Sequence, residues 1–115
     1  MAFSEFETHR YSSIVEKYVA TRRPPPEIRN ELDVSFRIEG QSLEIYEIRP
    51  AFDNPEEKVE SPIAKTTYVK TTDNWKLYWM RADLKWHEYS PDPVADTLED
   101  ALAIIDADEL ACFYG

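Results

Sequence analysis

The sequence predicts an α+β domain: an antiparallel sheet of about five strands, with one helix before it and one after it. Three observations carry this reading. Apolar residues recur at helical spacing near each end of the chain, and each stretch opens on a capping signal. Between them, apolar and polar residues alternate at strand period in short runs. Those runs are joined by brief turn signals, and strands linked by short turns are antiparallel neighbours. At 115 residues the chain reads as a single domain, residues 1–115, large enough for a core without disulfide or metal.

The first helix opens at Ser4-Glu-Phe-Glu7, a capping box in which hydroxyl and carboxylate satisfy free backbone N–H groups. Phe6, Tyr11, Ile14, Val15 and Tyr18 form its apolar stripe. Arg22 and Arg23 suit the negative end of its dipole, and Pro24, Pro25 and Pro26 stop it. Glu27–Glu31 has room for one further helical turn. Val34, Phe36 and Ile38 then alternate with polar residues as a half-buried strand. Gly40-Gln41 fits a two-residue hairpin turn, which pairs Ile38 with Leu43 and Phe36 with Ile45. After Ile45 the parity slips, because Tyr46 and Ile48 are apolar. A bulge, or burial on both faces, accounts for that.

Pro50 to Pro62 reads as a long connection, with three prolines and the acids Asp53, Glu56, Glu57 and Glu60. Ile63–Lys70 is the next strand, and Thr71–Asn74 has turn chemistry. Trp75–Tyr89 is the densest stretch, holding all three tryptophans. Trp75–Arg81 reads as a central strand with Trp75 and Trp79 in the core, Ala82-Asp83 as a turn, and Leu84–Tyr89 as the last strand. Ser90–Pro93 breaks the chain. Thr97-Leu-Glu-Asp100 is a second capping box, followed by the stripe Leu98, Ala101, Leu102, Ile105 and a helix end near Asp106. The apolar ending around Phe113 is expected to dock on the domain or on a partner chain.

Several of these segments carry a resemblance. They are Phe3-Ser-Glu-Phe6, Arg22-Arg-Pro-Pro-Pro-Glu-Ile-Arg29, Ile38-Glu-Gly-Gln-Ser42, Glu47-Ile-Arg-Pro50, Ala64-Lys65 with Tyr68-Val-Lys70, Trp79–Trp86 and the ending Cys112-Phe-Tyr-Gly115. Together they resemble a family of small bacterial proteins, Domain of Unknown Function 3024. The resemblance implies one stand-alone domain and brings no activity or site with it.

Composition excludes several function classes. The net charge of −10 argues against general affinity for nucleic acid or anionic lipid. It is unevenly spread: +1 over residues 1–30, −6 over 31–60, +2 over 61–89 and −7 over 90–115. Two glycines, Gly40 and Gly115, are too few for a phosphate-binding loop. One cysteine and two histidines make no usual zinc set, and no Gly-x-Ser-x-Gly elbow is present. No apolar run approaches the roughly 20 residues of a membrane span. No secretory signal is seen, and the lone Cys112 cannot close an internal disulfide, so a cytoplasmic protein is expected.

The remaining motifs have plain readings beside chemical ones. Asp83-Leu-Lys85 and Glu56-Glu-Lys58 look like part of a metal-dependent nuclease core, but 23 acids and six lysines produce such matches by chance. The loop acids have the oxygens for a hard cation, without the spacing of a calcium loop. His87 has the side chain of a general base and no evident partner. Arg22–Pro26 fits a polyproline recognition segment, but reads better as a helix stop followed by a stiff connector. Lys65, Lys70, Lys76, Arg81 and Lys85 interleave with Tyr68, Tyr78 and Trp86, a pattern that can stack single-stranded bases, which the overall charge opposes.

The expected function is a non-catalytic binding or interaction domain, taking an unidentified protein or small molecule or pairing as a homodimer. No cofactor or metal is expected. Its surface follows from parity: if both helices cover the tryptophan side, then Tyr46, Ile48, Tyr78 and Met80 lie on the other face, bordered by Arg49 and Lys76. The rival is a small hydrolase or nuclease with Arg81, Asp83, Lys85 and His87 as its site.

Overall fold

The computed structural model describes residues 3–114. Helix α1 (Glu5–Arg22) opens as its sequence predicts. Glu7 N donates to Ser4 Oγ at 3.1 Å and Ser4 N to Glu7 Oε1 at 3.0 Å. Its Arg23 cap is already extended, as a residue before proline must be, and Pro26–Ile28 forms a single 3₁₀ turn. Val15 and Val19 are buried, with Tyr11, Ile14 and Tyr18 packed beside them. Phe6 departs from the expected stripe and is exposed. Phe3, ahead of the cap, is half-buried against the core instead, with its ring 4.9 Å from Tyr11 and 5.9 Å from Trp75.

Strands β1 (Asp33–Glu39) and β2 (Ser42–Pro50) form the expected hairpin, turning on Gly40 at φ +63°. Ile38 faces Leu43 and Phe36 faces Ile45. The parity slip is no bulge in β2 itself: its pairing with β1 runs unbroken, so Tyr46 and Ile48 lie on the face opposite Ile45 and are half-buried there. The β2–β3 register shifts between Ile45 and Tyr46, leaving Ile63 of β3 (Lys58–Val69) without a cross-strand partner and buried in the core.

The long connection expected from Pro50 to Pro62 is instead mostly strand. Pro50 ends β2 and Lys58 begins β3, so only residues 51–57 are loop. Beyond Ile48 the β2 strand has no β1 partner, and before Ala64 the β3 strand has no β4 partner. The β3 side of this two-stranded arm is therefore a free edge from Lys58 to Ile63, and the β2 side is free at Arg49 and Pro50, so its prolines remove no ladder bond.

Strand β4 (Asn74–Met80) pairs with β3 on one side and with both β5 (Trp86–Glu88) and β6 (Val94–Ala95) on the other. Trp75 and Leu77 are buried as expected. Trp79 is only half-buried, because its cross-strand neighbour on the outer side is His87 of the short β5. The last strand expected from Leu84 shrinks to three residues, since Leu84 sits in the left-handed turn at φ +62°. Two-residue β6, held by Leu77 N donating to Pro93 O at 3.0 Å, carries no periodic signal and was not expected.

Helix α2 (Leu98–Ala107) opens with Asp100 N donating to Thr97 Oγ1 and buries all four residues of its stripe. The chain then reverses at Asp108, whose carboxylate accepts from Phe113 N at 2.9 Å and Tyr114 N at 2.8 Å. Phe113 docks on Tyr89 at 4.7 Å, as its apolar setting predicts. Both helices pack on the same face of the sheet: α1 on β1 and α2, and α2 on β4 and β6. No helix of the described residues is long and apolar enough to cross a membrane.

Candidate functional site

With both helices on one side, alternation along each strand decides what the other side presents. Trp75, Leu77, Leu43 and Ile45 face the helices. Tyr46, Lys65, Lys76, Tyr78, Met80 and Trp86 share the opposite, open face, because Lys65 pairs with Tyr78 and Met80 with Trp86. Tyr46, Tyr78, Met80 and Trp86 are each half-buried by their neighbours, and Lys76 is exposed.

Cations lie over the rings of this face. The Arg37 guanidinium is 4.3 Å from the centre of Tyr46, and Lys65 Nζ is 5.4 Å from Tyr78 and 5.7 Å from Trp86. Arg37 is further held by Glu60 and Glu44. Tyr46, Lys76, Tyr78 and Met80 of the expected surface are thus brought together, with Ile48 sharing the parity of Tyr46. Arg49 is not: it has the opposite parity on β2 and reaches back to Glu47 at 3.2 Å. Arg37 was absent from the expected set, and only the β1–β2 register reveals it beside Tyr46. The lysine–aromatic interleave of the sequence divides. Lys65, Lys76, Tyr78 and Trp86 share the open face, whereas Tyr68 lies under α1 and Arg81 sits over the Trp79 ring at 5.5 Å.

The rival site is partly assembled. His87 Nε2 lies 2.8 Å from Asp83 Oδ2, and Asp83 Oδ1 accepts from Lys85 N at 3.0 Å. The His87 hydrogen bond, then the backbone one, hold the Asp83 carboxyl below its ordinary range. Both carboxylate oxygens are therefore used in closing the β4–β5 turn. A groove of about 440 Å³ runs between α1 and α2, lined by Ile14, Tyr18, Leu102 and Asp106 among others, and includes none of the four rival residues. Among the described residues, no three His, Cys, Asp or Glu side chains converge as a metal site requires.

A family model of description "Domain of unknown function (DUF3024)" matches residues 3–115. The chain belongs to the DUF3024 family. No curated protein and no solved structure matches it. In this DUF3024 chain the segments that carry the resemblance fall on the α1 cap and stop, the Gly40 turn, the β4–β5 hairpin and the docked Phe113 tail. They also include Lys65 and Trp86 of the open face, so the family match spans both scaffold and candidate surface.

Proposed function

We propose that this DUF3024 chain is a non-catalytic binding or interaction domain acting in the cytoplasm, and that its working surface is the open face of the sheet. One observation carries the reading: both helices cover the same face, leaving Tyr46, Tyr78, Met80 and Trp86 opposite, with Arg37 and Lys65 lying over the rings. Half-buried aromatics and a methionine offer apolar area to a partner, and the cations give that contact direction. The acids of the same face, Glu44 and Glu88, disfavour a nucleic-acid backbone.

The test is a photo-crosslinking amino acid at position 78 in the native cell, with position 13 on the exposed side of α1 as control. A discrete adduct from position 78, absent from position 13 and lost in Trp86→Ala, supports the reading. Equal labelling from both positions removes it. The hydrolase or nuclease reading keeps one supporting observation, the Asp83–His87 pair. It predicts hydrolysis of a phosphodiester or ester that Asp83→Asn abolishes without changing the fold.

A further inference from the structure

Phe52, at the tip of the β2–β3 arm, is 105% exposed and touches nothing that would hide its ring. The loop that presents it is hydrogen-bonded: Ala51 N donates to Glu57 O at 2.8 Å, and Glu57 N to Asn54 O at 3.0 Å. Lys58 Nζ ties the base of the loop to Asn30 O. One exposed apolar side chain is ordinary. The charges around this one are the second observation. Asp53, Glu56 and Glu57 are all exposed beside it, and among the described residues none is within an ion pair. On the open face Lys65 and Lys76 likewise form no ion pair among the described residues. The arm offers an aromatic ring among acids, and the face offers rings and a methionine with Lys65 and Lys76, beside its own acids Glu44 and Glu88.

Spacing matches charge. Tyr46 lies four residues from Pro50, where the arm reaches its loop, and four residues from Ser42, whose row continues through Thr67 to Lys76. At roughly 3.3 Å per residue both spans are about 13 Å. A two-fold axis at the level of Tyr46 therefore lays the loop of one copy over the Lys76 row of the other.

We propose that the open face is covered by the Phe52-bearing arm of a second copy, each copy giving its arm and receiving the other's. This deepens the docking-surface reading and rests on it. The arrangement is isologous, so it closes at two copies. The chain's own arm cannot serve, because it continues past Met80 away from its own face.

The experiment is solution mass by light scattering on the full chain, across a concentration series and at low and high salt. The expected species has twice the 13.5 kDa chain mass and dissociates as salt rises. Phe52→Ser should weaken dimerisation about 10- to 100-fold while leaving the circular dichroism spectrum unchanged. Two charge-reversed variants, Lys65→Glu with Lys76→Glu, and Asp53→Lys with Glu56→Lys and Glu57→Lys, should each be monomeric and should form a dimer when mixed. That restored dimer keeps the test independent of any one variant's stability. A wild-type chain monomeric throughout, or a dimer indifferent to Phe52→Ser and to both charge reversals, overturns the proposal. If the chain is monomeric and the position 78 adduct persists, the arm exchange is wrong and the docking surface stands. If both are lost, both readings fall.

Discussion

Trp75 and Trp79 share a strand and a face yet differ in burial, and this sets what each contributes. Trp75 is enclosed by Phe3, Tyr11 and Tyr68, with Tyr11 edge-on at 5.0 Å. Trp75→Ala is expected to cost about 3–5 kcal/mol in denaturant unfolding, and half-exposed Trp79→Ala only about 1–3 kcal/mol. Equal losses would mean that the β5 end of the sheet is as well covered as the β6 end. Parity gave the shared face, but parity is blind to where a neighbouring strand stops, so the sequence alone equated the two. Tyr68 shows another effect invisible in sequence. Its O–H donates to Asp73 at 2.7 Å, and that bond pushes its pKa from 10.0 up to about 12. The folded value is raised, so the contribution is whole below about pH 10 and is lost as pH rises through about 12. Tyr11, Tyr18, Tyr89 and Tyr114 are raised as well, chiefly by burial, so the check is the difference: ultraviolet titration of Asp73→Asn should show one late phenol fewer than the wild type.

At the scale of elements, capping and turn chemistry were the most legible. The α1 box, the Gly40 turn with its register, and the α2 stripe all form where the local sequence places them, because each depends on groups within a few residues. Gly40 holds φ +63° with open space where a Cβ would sit. Gly40→Ala should therefore cost only the backbone strain, about 1 kcal/mol, and Gly40→Asn less. The arm was illegible for the opposite reason. Proline forbids a strand only where a neighbour needs its N–H, and that neighbour's absence is a tertiary fact. Helix and sheet are joined by Arg23, whose guanidinium meets Asp33 at 2.8 and 2.9 Å. This hydrogen bond holds the Asp33 carboxyl below its ordinary 3.8. A depressed value stabilises above pH 3.8, and the gain disappears as pH falls through the lower folded value. Arg23→Gln should remove that gain at neutral pH and so flatten the acid limb of a stability–pH curve below about pH 4, leaving stability at still lower pH little changed. An unchanged limb would show that the pair does not persist in solution.

For the whole molecule, one core runs from Val15 and Val34 through Ile45 and Leu77 to Ile105 and Phe113. We therefore expect a single cooperative transition over the chain, with calorimetric and van't Hoff enthalpies in agreement. Two separated transitions would divide the arm or the tail from the rest. The candidate surface was legible as a parity class once both helices were assigned to one side. Its cation over two rings was not, because Lys65 reaches Tyr78 and Trp86 only through the β3–β4–β5 register. Arg49 was misplaced because, three residues past Tyr46, it sits on the arm with the opposite parity.

The two helices meet although the whole sheet lies between them in sequence. Arg22 reaches Asp106 across 84 positions, and the Tyr18 and Tyr114 hydroxyls join across 96. The strands in between are mostly consecutive hairpins, which zip locally. A ribosome adding roughly 5–20 residues per second leaves about 4–17 s between emergence of Arg22 and of Asp106. Through that interval α1 lacks its contacts with α2 and with Tyr114, and the apolar side of the growing sheet is only partly covered. The newborn domain is thus most in need of a chaperone just before Leu98–Ala107 and Tyr114 appear, and their arrival latches it shut.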